Sequence, residues 1–156
     1  MVAKYKDNYY SCVLNSKEQI LLTGIKSKAV FGFEEDGDIF YKNITQEELC
    51  DIFEVHYYVE YDSKLEHTPL WWEVNQEDFS TEGVYLYFTE GFLPDWEIWD
   101  KGICRKYITY ADIRNCRVCI EYKRKNFERT NFVDDKGMMD TDSMLKLLEK
   151  YCENKL

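Results

Sequence analysis

The chain has 156 residues, a formal net charge of −10, 17% aromatic residues, seven glycines and two prolines. That length holds one domain with a core large enough to stand without disulfides, while the composition excludes a disordered chain and the net charge disfavours direct contact with nucleic acid. The first residues, Met1-Val2-Ala3-Lys4-Tyr5-Lys6, lack the apolar run of a signal peptide, and no stretch is apolar enough to span a bilayer, so the expectation is a cytoplasmic protein with no membrane partner and six reduced cysteines.

Residues 8–14 and 20–25 are short apolar runs separated by Asn15-Ser16-Lys17-Glu18, the pattern of two strands joined by a tight connection. Residues 29–33 and 39–41 flank Glu34-Glu35-Asp36-Gly37-Asp38, where Asp36-Gly37 supplies the positive φ of a hairpin turn and acids crowd around it. Thr45-Gln46-Glu47-Glu48 is a capping box with Ile44 placed to staple onto Leu49, and it predicts a helix of about two to three turns running through Phe53. The exposed face of that helix would carry Glu47, Glu48, Asp51 and Glu54. Residues 55–61 alternate as a half-buried strand, and residues 70–74 form another. Trp71 and Trp72 are neighbours on that strand, so they point to opposite faces and one is left as a surface anchor.

Residues 83–89 read as a strand, Glu90-Gly91 as a turn, and residues 92–102 as an extended excursion bearing Trp96 and Trp99. Three further strands follow at residues 103–109, 113–122 and 128–133, with Lys123-Arg124-Lys125-Asn126 turning the last pair. Met144, Leu145, Leu147, Leu148, Tyr151 and Cys152 recur at helical spacing behind Asp140-Thr141-Asp142-Ser143, which predicts a capped, amphipathic closing helix. With no strand-helix-strand alternation, the fold class is α+β in a single domain over 1–156: a curved, mainly antiparallel sheet or partly open barrel, one short internal helix and a C-terminal helix.

The pieces Gly83-Val84-Tyr85-Leu86-Tyr87-Phe88-Thr89-Glu90-Gly91-Phe92 and Tyr107-Ile108-Thr109-Tyr110-Ala111-Asp112-Ile113, followed by a hairpin and the closing helix, resemble the second half of a small bacterial pleckstrin-homology-like domain. The resemblance covers roughly residues 83–152 and leaves the first part of the chain without a counterpart. It implies that the Tyr-x-Asp-Ile step lies at a strand bend, that the helix plugs a bent antiparallel barrel, and that the domain is a binding scaffold with no particular ligand.

Chemistry-bearing constellations are sparse. Cys116-Arg117-Val118-Cys119 has zinc-knuckle spacing, but it lies in a strand-like stretch without a turn and has no second pair, so buried structural thiols are expected and no metal or cofactor is assigned. His56 and His67 are the available imidazoles, and neither sits in a nucleophile motif; both are expected to face solvent, and no catalytic residue is assigned. Between Lys101 and Arg129 the chain is basic, and its cations are expected to answer the protein's own acids or those of a second copy.

Charge is segmental. Residues 29–100 hold nineteen acids against Lys42 and Lys64 alone, whereas both flanking segments are net positive. The expected function is therefore a non-enzymatic acidic binding protein, of inhibitor or immunity type, that masks a basic surface on a partner protein. Glu34, Glu35, Asp36, Asp38, Glu47, Glu48, Asp51 and Glu54 would provide the charge, and Trp72, Trp96 and Trp99 the apolar anchors. The alternative is a pleckstrin-homology-like scaffold that binds a protein segment or a second copy of itself, with the charge serving solubility.

Overall fold

The computed structural model describes residues 1–15, 19–25, 32–49, 51–124 and 127–152, with the side chains of Ile25, Arg129 and Asn131 outside the description. The elements are β1 (Val2–Tyr5), β2 (Asn8–Leu14), β3 (Ile20–Ile25), β4 (Glu34–Asp36), β5 (Ile39–Ile44), β6 (Asp51–Glu60), β7 (Trp71–Val74), β8 (Gly83–Phe88), β9 (Glu97–Asp100), β10 (Ile103–Thr109), β11 (Cys116–Lys123), β12 (Arg129–Met139) and α1 (Thr141–Tyr151). The fold is thus mainly antiparallel sheet with one C-terminal helix, and among the described residues no helix is long and apolar enough to cross a membrane.

The described chain divides into two compact units, one within Met1–Val55, Cys119–Asp135 and Lys146–Lys155, the other within His56–Val118 and Lys136–Leu145. Among the described residues the larger sheet runs in the order β12-β11-β6-β1-β2-β3-β5-β4, with β12 and β4 at its two ends. β1 pairs with β2 from Val2↔Ser11 to Tyr5↔Asn8, and the two-residue connection Lys6-Asp7 has positive φ at both positions (46° and 65°), as a type I′ hairpin requires. Without Gly or Asn at that turn, the strand is hidden from a reading of turn residues.

Alternation along these strands divides the apolar side chains between two faces. Ala3, Tyr5, Tyr10, Cys12, Ile20, Leu22, Ile44, Leu49 and Ile52 form one buried cluster. Val2, Phe53, Ile120 and Tyr151 form the other, with Tyr9 and Leu147 packed against it. The rings of Tyr9, Phe53 and Tyr151 meet edge to face at 5.0–5.9 Å, so the last turns of α1 close this face through aromatic contacts.

The predicted internal helix is a correction. Its capping box forms, with Glu48 accepting from the Thr45 backbone N–H at 2.9 Å, yet the helix is a single 3-10 turn, Gln46–Glu48, and Leu49 is already extended. Ile44 and Leu49 do share a cluster, so the staple survives around that one turn. Residues 51–60 are strand instead because Ile52 and Phe53 pair with Ala3 and Val2 of β1 and bury on opposite faces, which a helix with one apolar stripe would not allow. The predicted strand at residues 29–33 falls partly outside the described residues, and Gly32 and Phe33 are not in a strand. The acid run itself is the strand β4.

In the second unit β7 pairs antiparallel with the latter half of β6, from Tyr57↔Val74 to Glu60↔Trp71, and β8, β10 and β9 form a three-stranded sheet in that spatial order. The excursion at residues 92–102 therefore contains a short strand, β9. The turn Tyr110–Asp112 after β10 carries its own capping box, and the Tyr110 hydroxyl donates to the Ser80 carbonyl in surroundings dry enough to push its pKa up to about 12. Asp140 caps α1, accepting from the Ser143 N–H at 2.7 Å.

Cys12, Cys104, Cys116 and Cys152 are buried free thiols, and Cys119 is half-buried. Cys116 and Cys119 occupy positions of opposite parity along β11, so their side chains leave opposite faces of the strand and do not converge as a zinc knuckle needs. Burial pushes the Cys12 pKa up to about 11. In native protein near pH 8, a disulfide reagent is expected to label Cys119 well before Cys12, because only the thiolate attacks. Peptide mapping of the labelled protein checks this, and equal labelling of the two would contradict the packing around Cys12.

Candidate functional site

The acidic candidates all lie in the first unit, but they do not form one surface. Glu34, Glu35 and Asp36 make up β4, and Asp38 sits in the turn to β5. Asp36↔Ile39 is the last pair before the turn, so its two central residues are Gly37 and Asp38; Gly37 has φ +64° and Asp38 does not share the positive φ, the pattern of a type II′ hairpin with glycine first. All four acids are exposed. Glu34 accepts a hydrogen bond from the Tyr41 hydroxyl at 2.8 Å, which raises the Tyr41 pKa, and among the described residues no cation stands within ion-pair distance of any of the four.

Glu47 and Glu48 follow the far end of β5. Ile39 and Ile44 bound that strand, and five residue rises separate these acids from the hairpin turn by about 17 Å along it. Asp51 is exposed on β6, five strands from β4 in the sheet order. Glu54 is a different case: its carboxylate lies 2.8 Å from the Lys123 ammonium, which is only 3% exposed and is held equally closely by Glu121. These acids were expected on one helix face, and replacing the helix by a turn and a strand disperses them.

The tryptophans lie in the second unit. Trp72 and Trp96 are 3% and 7% exposed, with rings 5.2 Å apart, and the Trp72 indole N–H donates to the Tyr61 carbonyl. They are core residues, which corrects their assignment as surface anchors; it is Trp71, its side chain half-buried, that faces outward on β7. Trp99 is 53% exposed, as an anchor would be. The guanidinium of Arg105 lies 3.5 Å from the centre of its ring and 4.7 Å from that of Tyr85, while its Nε and Nη2 donate to Glu97 at 2.7 and 3.2 Å. That fork holds the Glu97 pKa below the ordinary carboxylate range, so the pair persists above that range and is lost as pH falls through the depressed value.

The basic segment answers part of the acidic block, as expected: besides Lys123 with Glu54, Arg105 pairs with Glu97 and Arg114 with Asp62. Lys125 and the side chain of Arg129 lie outside the described residues. His56 departs from expectation, since its side chain is 29% exposed and its Nδ1 is 2.7 Å from Glu73, whereas His67 is exposed as predicted. What remains as a candidate surface is the hairpin quartet, with Glu34 and Asp36 on one face of β4, Glu35 on the other and Asp38 in the turn. Partners in register share a face, so Glu34 and Asp36 lie beside Tyr41 and Ile39, and Ile39 is 56% exposed. Sequence reasoning missed Ile39 because strand alternation alone does not say which face of β5 is covered. No family model, curated protein or solved structure matches the chain.

Proposed function

We propose that this chain is a non-enzymatic acidic binding protein, of inhibitor or immunity type, which sets the β4–β5 hairpin against a basic surface on a partner protein in the cytoplasm. The observation that carries the reading is that Glu34, Glu35, Asp36 and Asp38 are exposed on an edge hairpin with no described cation in ion-pair range. Like charges so close together repel and destabilise the hairpin, a cost that a partner's cations would remove. Exposed Ile39 gives the face of Glu34 and Asp36 an apolar contact to desolvate, the part first assigned to the tryptophans.

The test is a comparison of wild type with the E34Q/E35Q/D36N/D38N variant in capture of partners at low salt and at about 1 M salt, where the screening length falls to about 3 Å. The variant is expected to melt no lower than wild type and to lose about 10- to 100-fold in partner affinity, mostly through the association rate. A partner held equally by both proteins and undiminished at high salt sinks the charge-led reading.

That result would favour the second reading, a pleckstrin-homology-like scaffold with a curved sheet that recognises a protein segment or a second copy through its edge. The observation behind it is β12, which ends the strand order and exposes Phe132 (62%) and Val133 (53%), an apolar edge of the kind that recruits another strand.

A further inference from the structure

The second unit contains an open cavity of about 550 Å³, within the size range of small-ligand sites. Its walls come from the loop before β7, which brings His67, from β7 and from the end of β8: Trp71, Trp72, Tyr87 and Phe88 supply rings, and Glu73 and Glu90 supply carboxylates. Among the described residues no lysine or arginine lines it. Trp72 is held in place by its bond to the Tyr61 carbonyl and by Trp96, and Glu73 is held by His56 at 2.7 Å, so one ring wall and one acid are positioned before anything binds. Ring faces carry negative quadrupole potential and carboxylates carry full charge, so a cation is the chemistry this lining favours.

We propose that this cavity binds a guanidinium group. Carboxylates on the wall favour a cation that donates hydrogen bonds over a quaternary ammonium, which has none to give, and a planar fork satisfies carboxylates and rings at once. The same chain already builds such an arrangement, with Arg105 stacked on Trp99 and forked onto Glu97. Arg105 lies across from Tyr87 in the β8–β10 pairing, but with Glu97 answering its charge it does not oppose a second guanidinium. The inference is independent of the β4–β5 hairpin, whose failure as a binding surface would leave it standing.

The guanidinium has two sources, a partner's arginine side chain or a free small molecule, and the experiment separates them. Indole N–H signals of the protein are followed by NMR during titration with acetyl-Gly-Arg-Gly-amide, the citrulline peptide of the same shape, agmatine and tetramethylammonium, with Trp71→Phe used to assign the Trp71 signal. The arginine peptide is expected to shift the Trp71 signal saturably with a Kd of about 1 mM, the value of a single well-placed side chain without a flanking interface. Neutral citrulline should bind at least about tenfold more weakly, and Glu90→Gln should weaken the arginine peptide about threefold to tenfold without changing Tm, since Glu90 is an exposed turn residue. Adding Glu73→Gln to that variant should weaken it further. Agmatine as tight as the peptide identifies a free ligand, and a tighter peptide identifies a partner's arginine. Citrulline or tetramethylammonium binding as well as the arginine peptide, or no saturable shift of Trp71 up to about 50 mM, overturns the assignment.

Discussion

Gly83→Ala should lower the unfolding free energy by about 3 kcal/mol or more, near or beyond the top of the usual range for overpacking. A Cβ at position 83 would stand 2.1 Å from the Ile108 carbonyl oxygen and 2.9 Å from the Tyr107 ring and hydroxyl. The closest of these atoms is backbone in the paired strand β10, where Gly83 faces Thr109, so a rotamer change cannot relieve the overlap and the two strands must separate locally. The glycine is needed for close approach, not for its backbone conformation. Chemical denaturation gives the value, and a variant within about 0.5 kcal/mol of wild type would mean that β8 and β10 do not approach as described.

Lys123→Met should cost about 2–3 kcal/mol, below the 3–5 kcal/mol typical of a broken buried ion pair because Glu54 is 35% exposed and water shares in screening it. The methionine matches the stem of the lysine but withdraws the cation that Glu54 and Glu121 both hold at 2.8 Å. A fall of roughly 5–10 °C in Tm is expected for a chain of this size. The E54Q/E121Q/K123M variant should recover most of it, since removing the whole charge set also removes the imbalance. Removal from water by itself depresses the Lys123 pKa, but hydrogen bonds from its ammonium to Glu121 and Glu54 outweigh that and raise it above the usual lysine value. With the folded value raised, this stabilisation is complete below the ordinary lysine pKa and disappears as pH rises through the folded one. The difference between wild type and K123M should therefore be constant through neutral pH and shrink only in strong alkali, and melts within about 2 °C of each other at pH 7 would refute the role of the triad.

Most strands were legible because period-two alternation survives where one face is covered: β2, β3, β8 and β10 lie where the pattern placed them, as does α1, whose cap is Asp140 among the four residues that could have served. β1 was not, since its turn uses Lys6 and Asp7 in place of glycine or asparagine. The helix expected through Phe53 shows how local and long-range signals compete. Thr45 and Glu48 form their box, but a single capped turn gains less than a ten-residue strand whose first three residues pair with β1, whose latter half pairs with β7 and which buries side chains on both faces. Among candidate site residues, the hairpin acids were legible as a group because they are contiguous; Glu47, Glu48, Asp51 and Glu54 were grouped only through a helix that does not form. Lys123 sits in a basic stretch that looks like surface, and its burial follows from Glu54, a residue distant in sequence.

Sequence alone determined the mainly antiparallel character of this protein, its closing helix, its surplus of acids in the central segment and the crowded hairpin, because each is written in neighbouring residues through side-chain periodicity, charge or turn chemistry. Tertiary structure decided which tryptophans are walls, which lysine is buried, how the acids disperse and where an aromatic cavity opens. Those outcomes depend on which strands pair and which faces they cover, and residues far apart along the chain settle that only when they meet.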